Sequence, residues 1–252
     1  MASFLTSQMD FIFLFYGLAF VLLGAVCLTG KKGKDRLPWH WLGLFGLVHG
    51  AGEWMDLLTL SVGDCPTFAL ARTVVMTASF IFLAEFARAG LATVQGRAPS
   101  RLVLVPLLLV AFTGLLYGGP GLNATARYAL GLTGGCGAAA VLLLASRRCQ
   151  PVPRRWLMLC GLAMGVYALS TGAVVPRADF FPASMVNHDS FLQVLGFPVQ
   201  LLRGVLALVV SVAFWKYYQA FYYTDPEANY SELKTRYVAW LPAALLVVMV
   251  AG

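Results

Sequence analysis

The stretch LPWHWLGLFGLVHGAGEWMDLLTL, residues 37–60, places three ionisable side chains, His49, Glu53 and Asp56, inside an otherwise apolar run. Spacings of four and three stack them along one face of a helix. At about 1.5 Å per residue the run is long enough to cross a bilayer. A charged side chain in hydrocarbon costs roughly 2.5 to 3.5 kcal/mol on insertion scales, so such residues face a bundle interior, a polar cavity or a partner. This face is the leading candidate for a working site.

The rest of the chain is of the same kind. Of its 252 residues 60% are apolar and 12% charged, and the mean hydropathy is +0.77, far from the balance of a soluble domain. Apolar runs recur at 10–29, 38–60, 67–87, 102–117, 128–146, 156–175 and 191–215, and an eighth starts near 237. They are too long and too rich in Leu, Gly and Ala for barrel strands, which alternate over about ten residues. The expected fold is an all-α integral membrane protein, a bundle of seven transmembrane helices followed by a truncated eighth. The division expected is a bundle at 1–217, a cytoplasmic linker at 218–236 and the start of an eighth span at 237–252, the whole read as a fragment of a longer protein. The first run lacks a basic leading region and follows Asp10, so it reads as a span and not a signal peptide.

Orientation follows from the cations. Fourteen of the 18 Lys and Arg lie in the linkers after the first, third, fifth and seventh runs, among them Lys31, Lys32, Lys34, Arg36, Arg88, Arg97, Arg101, Arg147, Arg148, Arg154 and Arg155. Arg72, Arg127 and Arg177 lie toward the other side. The positive-inside rule then puts the N-terminus outside and these linkers in the cytoplasm of a bacterial inner membrane. The net charge of +7 describes lipid orientation and not nucleic-acid binding. Cys27, Cys65, Cys136, Cys149 and Cys160 form no CxxC, and only Cys65 falls in an outer linker, so no disulfide is expected. GxxxG pairs at Gly46/Gly50, Gly131/Gly135 and Gly161/Gly165 indicate close helix packing.

Depth along the spans suggests how the charges meet. Arg203 and Gln200 in the seventh run fall near the level of His49, making Arg203 the natural counter-ion for Glu53. Arg72, near the outer end of the third run, can reach Asp56 if the second and third runs form a hairpin. Pro198 predicts a kink in the seventh run beside Gln200 and Arg203. The outer linker VVPRADFFPASMVNHDSF, with His188 and Asp189, reads as an amphiphilic lid over 176–190. Glu85 and Arg88 predict an interfacial pair. The residues expected to line a ligand site are therefore His49, Glu53, Asp56, Arg72, Gln200, Arg203 and His188.

Other chemistries have less behind them. His188 and Asp189 with Glu53 and Asp56 could supply metal ligands, but no spacing is diagnostic. His49 could ligate haem, but neither His40 nor His188 shares its depth. The seventh run lacks a mid-membrane lysine for retinal, and HExxH, GxSxG and Gly-rich phosphate loops are absent. Asn123-Ala124-Thr125 fits a glycosylation sequon, a pattern frequent by chance.

FYGLAF at 15–20, LFGLVHGAGEWMD at 44–56, FLAEFAR at 82–88, and FFPA with GFPVQLLRG between 180 and 204 give the chain a layout that resembles the membrane-embedded N-terminal sensory modules of bacterial sensor histidine kinases and diguanylate cyclases. The resemblance covers most of the chain. It implies a receptor for a small or lipophilic signal whose catalytic output lies downstream, since the chain carries no phosphoacceptor helix, nucleotide-binding domain or GGDEF-type sequence. A metal- or haem-binding membrane protein or membrane enzyme using His49, Glu53 and Asp56 is the second reading, and a transporter the third. A second copy of the chain is a candidate partner besides the lipid bilayer.

Overall fold

The computed structural model describes residues 2–29, 37–97 and 99–223, and among them the chain is helical with no strand. Long helices are α1 (Met9–Thr29), α2 (Trp39–Val62), α3 (Pro66–Gln95), α6 (Pro151–Ala173) and α7 (Val199–Tyr223). Between α3 and α6 lie α4 (Leu104–Thr113) and α5, which is α-helical over Gly118–Ala126, π-helical over Arg127–Leu132 and α-helical again over Thr133–Ser146. The segments at 224–252, read from sequence as most of the linker and an eighth span, lie outside the described residues, as do the cations at 31, 32, 34 and 36. The seventh helix runs on to Tyr223, into the segment read as linker.

Among the described residues five elements are long and apolar enough to cross a membrane: Met9–Thr29, Pro66–Gln95, Arg101–Ser146, Pro151–Ala173 and Val199–Phe221. Trp39–Val62 is equally long, about 36 Å at 1.5 Å per residue, but its His, Glu and Asp lower its hydropathy. The 46-residue element Arg101–Ser146 is not one rod. A 3-10 turn at Gly114–Tyr117 and the positive φ of 72° at Gly118 reverse the chain there, a backbone conformation that glycine adopts without a Cβ clash. Helix α4 proper has only ten residues, about 15 Å, and the 3-10 turns on either side lengthen it.

Each inward stripe has the helical period that one-sided packing requires. Tyr16, Phe20, Leu23 and Cys27 turn inward from α1, Leu42, Phe45, His49 and Glu53 from α2, and Arg203, Ala207, Val210 and Phe214 from α7. The principal contacts run α1 to α2, α2 to α3, α3 to α5, α5 to α6, α6 to α7 and α7 back to α1, closing a ring. Helix α4 stands outside it, packed on the flanking segments 114–132. The outward faces are also apolar, with Phe11, Phe15, Leu109, Leu162, Leu169 and Leu208 each more than half exposed. A helix hydrophobic all round belongs in a large core or a membrane.

Helices α1 and α2 approach through glycine. A Cβ on Gly46 would lie 2.6 Å from the Phe20 carbonyl oxygen, and one on Gly50 2.7 Å from that of Gly17. This GxxxG is an internal seam that lets the backbones nearly touch.

The seventh run differs from expectation. It is two helices, a short one at His188–Leu195 and α7 from Val199, so Pro198 does not kink a continuous span. Gly196, in the left-handed region at φ 74°, ends the short helix by donating its N–H to Leu192 O. Pro198 then precedes α7, where its missing N–H removes no helical bond.

Candidate functional site

His49 is 2% exposed at the centre of the ring, boxed by the rings of Phe20, Phe45 and Phe80 at centroid distances of 5.0, 5.1 and 5.3 Å. Both its nitrogens are engaged. Ser79 gives its one hydroxyl proton to Met76 O at 2.6 Å, so Ser79 Oγ accepts from His49 Nδ1–H at 2.8 Å. Nε2 meets the Tyr167 hydroxyl at 2.8 Å and Glu53 Oε1 at 3.3 Å, and Tyr167 in turn bonds the Tyr16 hydroxyl at 3.0 Å. With Nδ1 protonated, a neutral ring accepts at Nε2 from Tyr167, whereas a charged ring donates to Glu53. Glu53, His49, Tyr167 and Tyr16 form a continuous chain of exchangeable protons from the cavity wall into the bundle.

Arg203 takes partners the sequence did not indicate. It was expected to pair with Glu53, but its Nη2 donates to Ser170 O at 2.8 Å and Val174 O at 2.5 Å, carbonyls left open where α6 ends. A cation at a helix C-terminus is favoured by both the orphan carbonyls and the dipole. Glu53 reaches back one turn to His49 instead, the i to i+4 geometry being available without any help from α7. The other expected pair forms: Arg72 binds Asp56, and it binds Asp64 in the α2–α3 turn as well.

The seven residues singled out from sequence converge. His49, Glu53, Asp56, Arg72, Gln200, Arg203 and His188 all line one cavity of about 740 Å³. Its floor is the face of α2 and its far wall α7. Its mouth lies at the exposed lining residues Asp64, Pro66, Gly118, Gly119 and Pro120, at the bundle end opposite the linkers at 99–101 and 147–150. Phe13, Leu70, Met76, Leu115 and Leu122 supply apolar wall.

Sequence reasoning missed Arg127 and Asn123. Arg127 is 7% exposed, lines the cavity and donates from Nε to Asn123 Oδ1 at 2.8 Å. It begins the π-helical turn, an irregularity that frequently marks functional positions. The available signal was an Asn and an Arg four residues apart at the mouth of an apolar run, the relation that drew attention to α2.

The 176–190 linker packs across this end. Phe180 turns inward onto Tyr117 at 4.9 Å, while Phe181 and Met185 are exposed. Asn187 caps the short helix, accepting from the N–H groups of Asp189 and Ser190. Asp189 is exposed and away from the cavity wall. Burial pushes the His188 imidazole down to about 2, with the charges of Arg203 and then Arg127 adding to it. The metal reading finds no supporting cluster: among the described residues no three His, Cys, Asp or Glu side chains are grouped to hold an ion. Haem ligation would require His49 to surrender a hydrogen bond. At the other end Glu85 accepts from Arg88 Nε and Nη2, both at 2.7 Å, and also from Arg101 Nε at 3.1 Å.

Comparison of the chain with protein-family models, curated proteins and solved structures finds no match.

Proposed function

We propose that this chain is the membrane-embedded sensory module of a bacterial signal-transduction protein. It takes a small or lipophilic ligand into the cavity beside α2 and passes the change to an output domain further along the protein. In this reading the N-terminus and the cavity mouth face outward, the cation-rich linkers face the cytoplasm, and the bundle crosses the inner membrane seven times.

The observation that carries the reading is the convergence of polar groups from α2, α3, α5, the short helix and α7 on one concave, partly apolar space. Cavities of roughly 300–1,000 Å³ with a few convergent polar groups suit small molecules. Buried ionisable groups within membrane segments mark function by default. The hydrogen-bond chain through His49, Tyr167 and Tyr16 gives the cavity wall a direct mechanical link to α1, α3 and α6, so a ligand that altered the Glu53–His49 contact would bias the packing of three helices.

The test is the output of the full-length protein. His49→Gln and Gln200→Leu should flatten its dose response to the stimulus while membrane insertion and expression stay normal. A normal dose response in both variants would place the sensing site elsewhere. Extracellular labelling of a cysteine at Gly119 but not at Gln150 would support the orientation, and the reverse pattern would reject it.

A further inference from the structure

Three carboxylates line the cavity, and each already has a side-chain partner. Asp56 and Asp64 both bind Arg72, and Glu53 lies against His49. Arg127 and Arg203 also line it, and among the described residues neither has a carboxylate within ion-pair range. They are 7% and 2% exposed. Arg203 commits Nη2 to two carbonyls, yet its Nε is buried with no hydrogen-bond partner. His188 lines the same wall, and its Nε2 is likewise buried and unpartnered.

Two buried guanidiniums without a counter-anion are costly, because each is desolvated and the two repel. The unsatisfied Arg203 Nε–H compounds that cost. An oxyanion would relieve both deficits at once, since carboxylate and phosphate oxygens accept charge-assisted bonds from guanidinium forks. Part of the rest of the wall is apolar, with Phe13, Met76 and Leu122 among its residues beside the neutral polar Thr73, Asn123 and Gln200, and such a wall accommodates a hydrocarbon body.

We infer that the cavity binds a small amphiphilic oxyanion, its carboxylate or phosphate group held by Arg127 and Arg203 and its apolar body against Phe13, Met76 and Leu122. The inference rests on the proposed function and specifies the chemistry of its ligand. Asn123 orients Arg127 through the Nε bond, and the α6 carbonyls orient Arg203, so both cations are preorganised before the ligand arrives.

Thermal unfolding of the purified chain in neutral detergent tests this, with hexanoate, hexyl phosphate and hexanol as probes. A ligand at about 100 times its dissociation constant should raise Tm by roughly 5 °C or more. Hexanoate or hexyl phosphate should produce the shift where hexanol does not, and Arg127→Gln should abolish it. Arg203→Lys, which keeps the charge but loses the fork, should weaken it at least tenfold in the concentration required. The source of the oxyanion is read in nanodiscs: a stabilisation that appears on moving from phosphatidylcholine to phosphatidylglycerol, and disappears in Arg127→Gln, identifies a lipid headgroup.

Equal shifts with hexanol and hexanoate would overturn the oxyanion, as would shifts that survive in Arg127→Gln. If those shifts were lost when Leu122→Trp filled the cavity, a ligand site of other chemistry would stand. The absence of any shift with all three probes and both lipids would also overturn the oxyanion, leaving the dose-response test to decide the sensory reading separately.

Discussion

The two ends of this bundle use the same residue types to opposite effect. At the end carrying Arg88, Arg101 and Arg148, the buried carboxylate of Glu85 is enclosed by two guanidiniums, and Arg148 covers the carbonyls of Thr93 and Val94. At the cavity end three carboxylates and three arginines face the same space, yet Arg72 Nε, Arg203 Nε and His188 Nε2 are buried without partners. Charges that close on one another make a finished surface, whereas charges held apart by helix ends and turns leave a site. The difference lies in what the backbone forces each arginine to cap.

The largest expected effect sets the two carbonyl-capping arginines against each other. Arg203→Leu orphans the Ser170 and Val174 carbonyls in a buried setting and should cost about 3 kcal/mol. Arg148→Leu removes a similar cap at a more solvated position and should cost below about 1 kcal/mol, water replacing the guanidinium. Denaturant titration in micelles compares them, and equal losses would erase the contrast.

Glu85→Gln comes next. It keeps a hydrogen-bond acceptor but leaves Arg88 and Arg101 to share a neutral group, and should cost about 1 to 2 kcal/mol. High salt should shrink that penalty, because Arg101 is largely solvent-exposed. A penalty insensitive to salt would mean that this end is less open to solvent than the contrast requires.

His188 gives a pH test of similar size. Its folded pKa, about 2, lies below the unfolded value of about 6.5, so the unfolded state binds the proton first as pH falls. Stability from this group is therefore full above about pH 6.5 and is lost on acidification, by an amount on the order of 1 kcal/mol between about pH 7 and 5.5. Arg203, Arg127 and the backbone near Val174 are the groups acting on it. His188→Gln should flatten that part of the profile, and an unchanged acid limb would show that His188 is more solvated than its position indicates.

The smallest effect is a coupling. Because Glu53 bonds His49 and Arg203 bonds α6, a double-mutant cycle of Glu53→Gln and Arg203→Gln should give less than about 1 kcal/mol of interaction. A coupling of several kcal/mol would restore the direct pair expected from the sequence.

Helix positions were legible wherever the signal is local. The inward polar face of α2 follows from side-chain spacing, and the Arg72–Asp56 contact follows from a short turn that brings adjacent helices together. Helix breaks were less legible. The chain reversal at 114–118 and the separation of His188–Leu195 from α7 depend on glycines at 118 and 196 adopting positive φ, one use among many for 25 glycines. The π-helical turn at Arg127 left no compositional trace.

By itself the sequence determined an all-helical, apolar chain and a polar stripe on α2, because hydrophobicity and the 3.6-residue period act within a few residues of one another. The tertiary structure alone decided that Glu53 would pair with His49 and not with Arg203. It also put Arg127 in the cavity wall and gave Arg203 a helix end in place of Glu53. Those choices turn on rotation and depth between helices, where one residue means about 100° and 1.5 Å, and no local pattern in the chain specifies that fit.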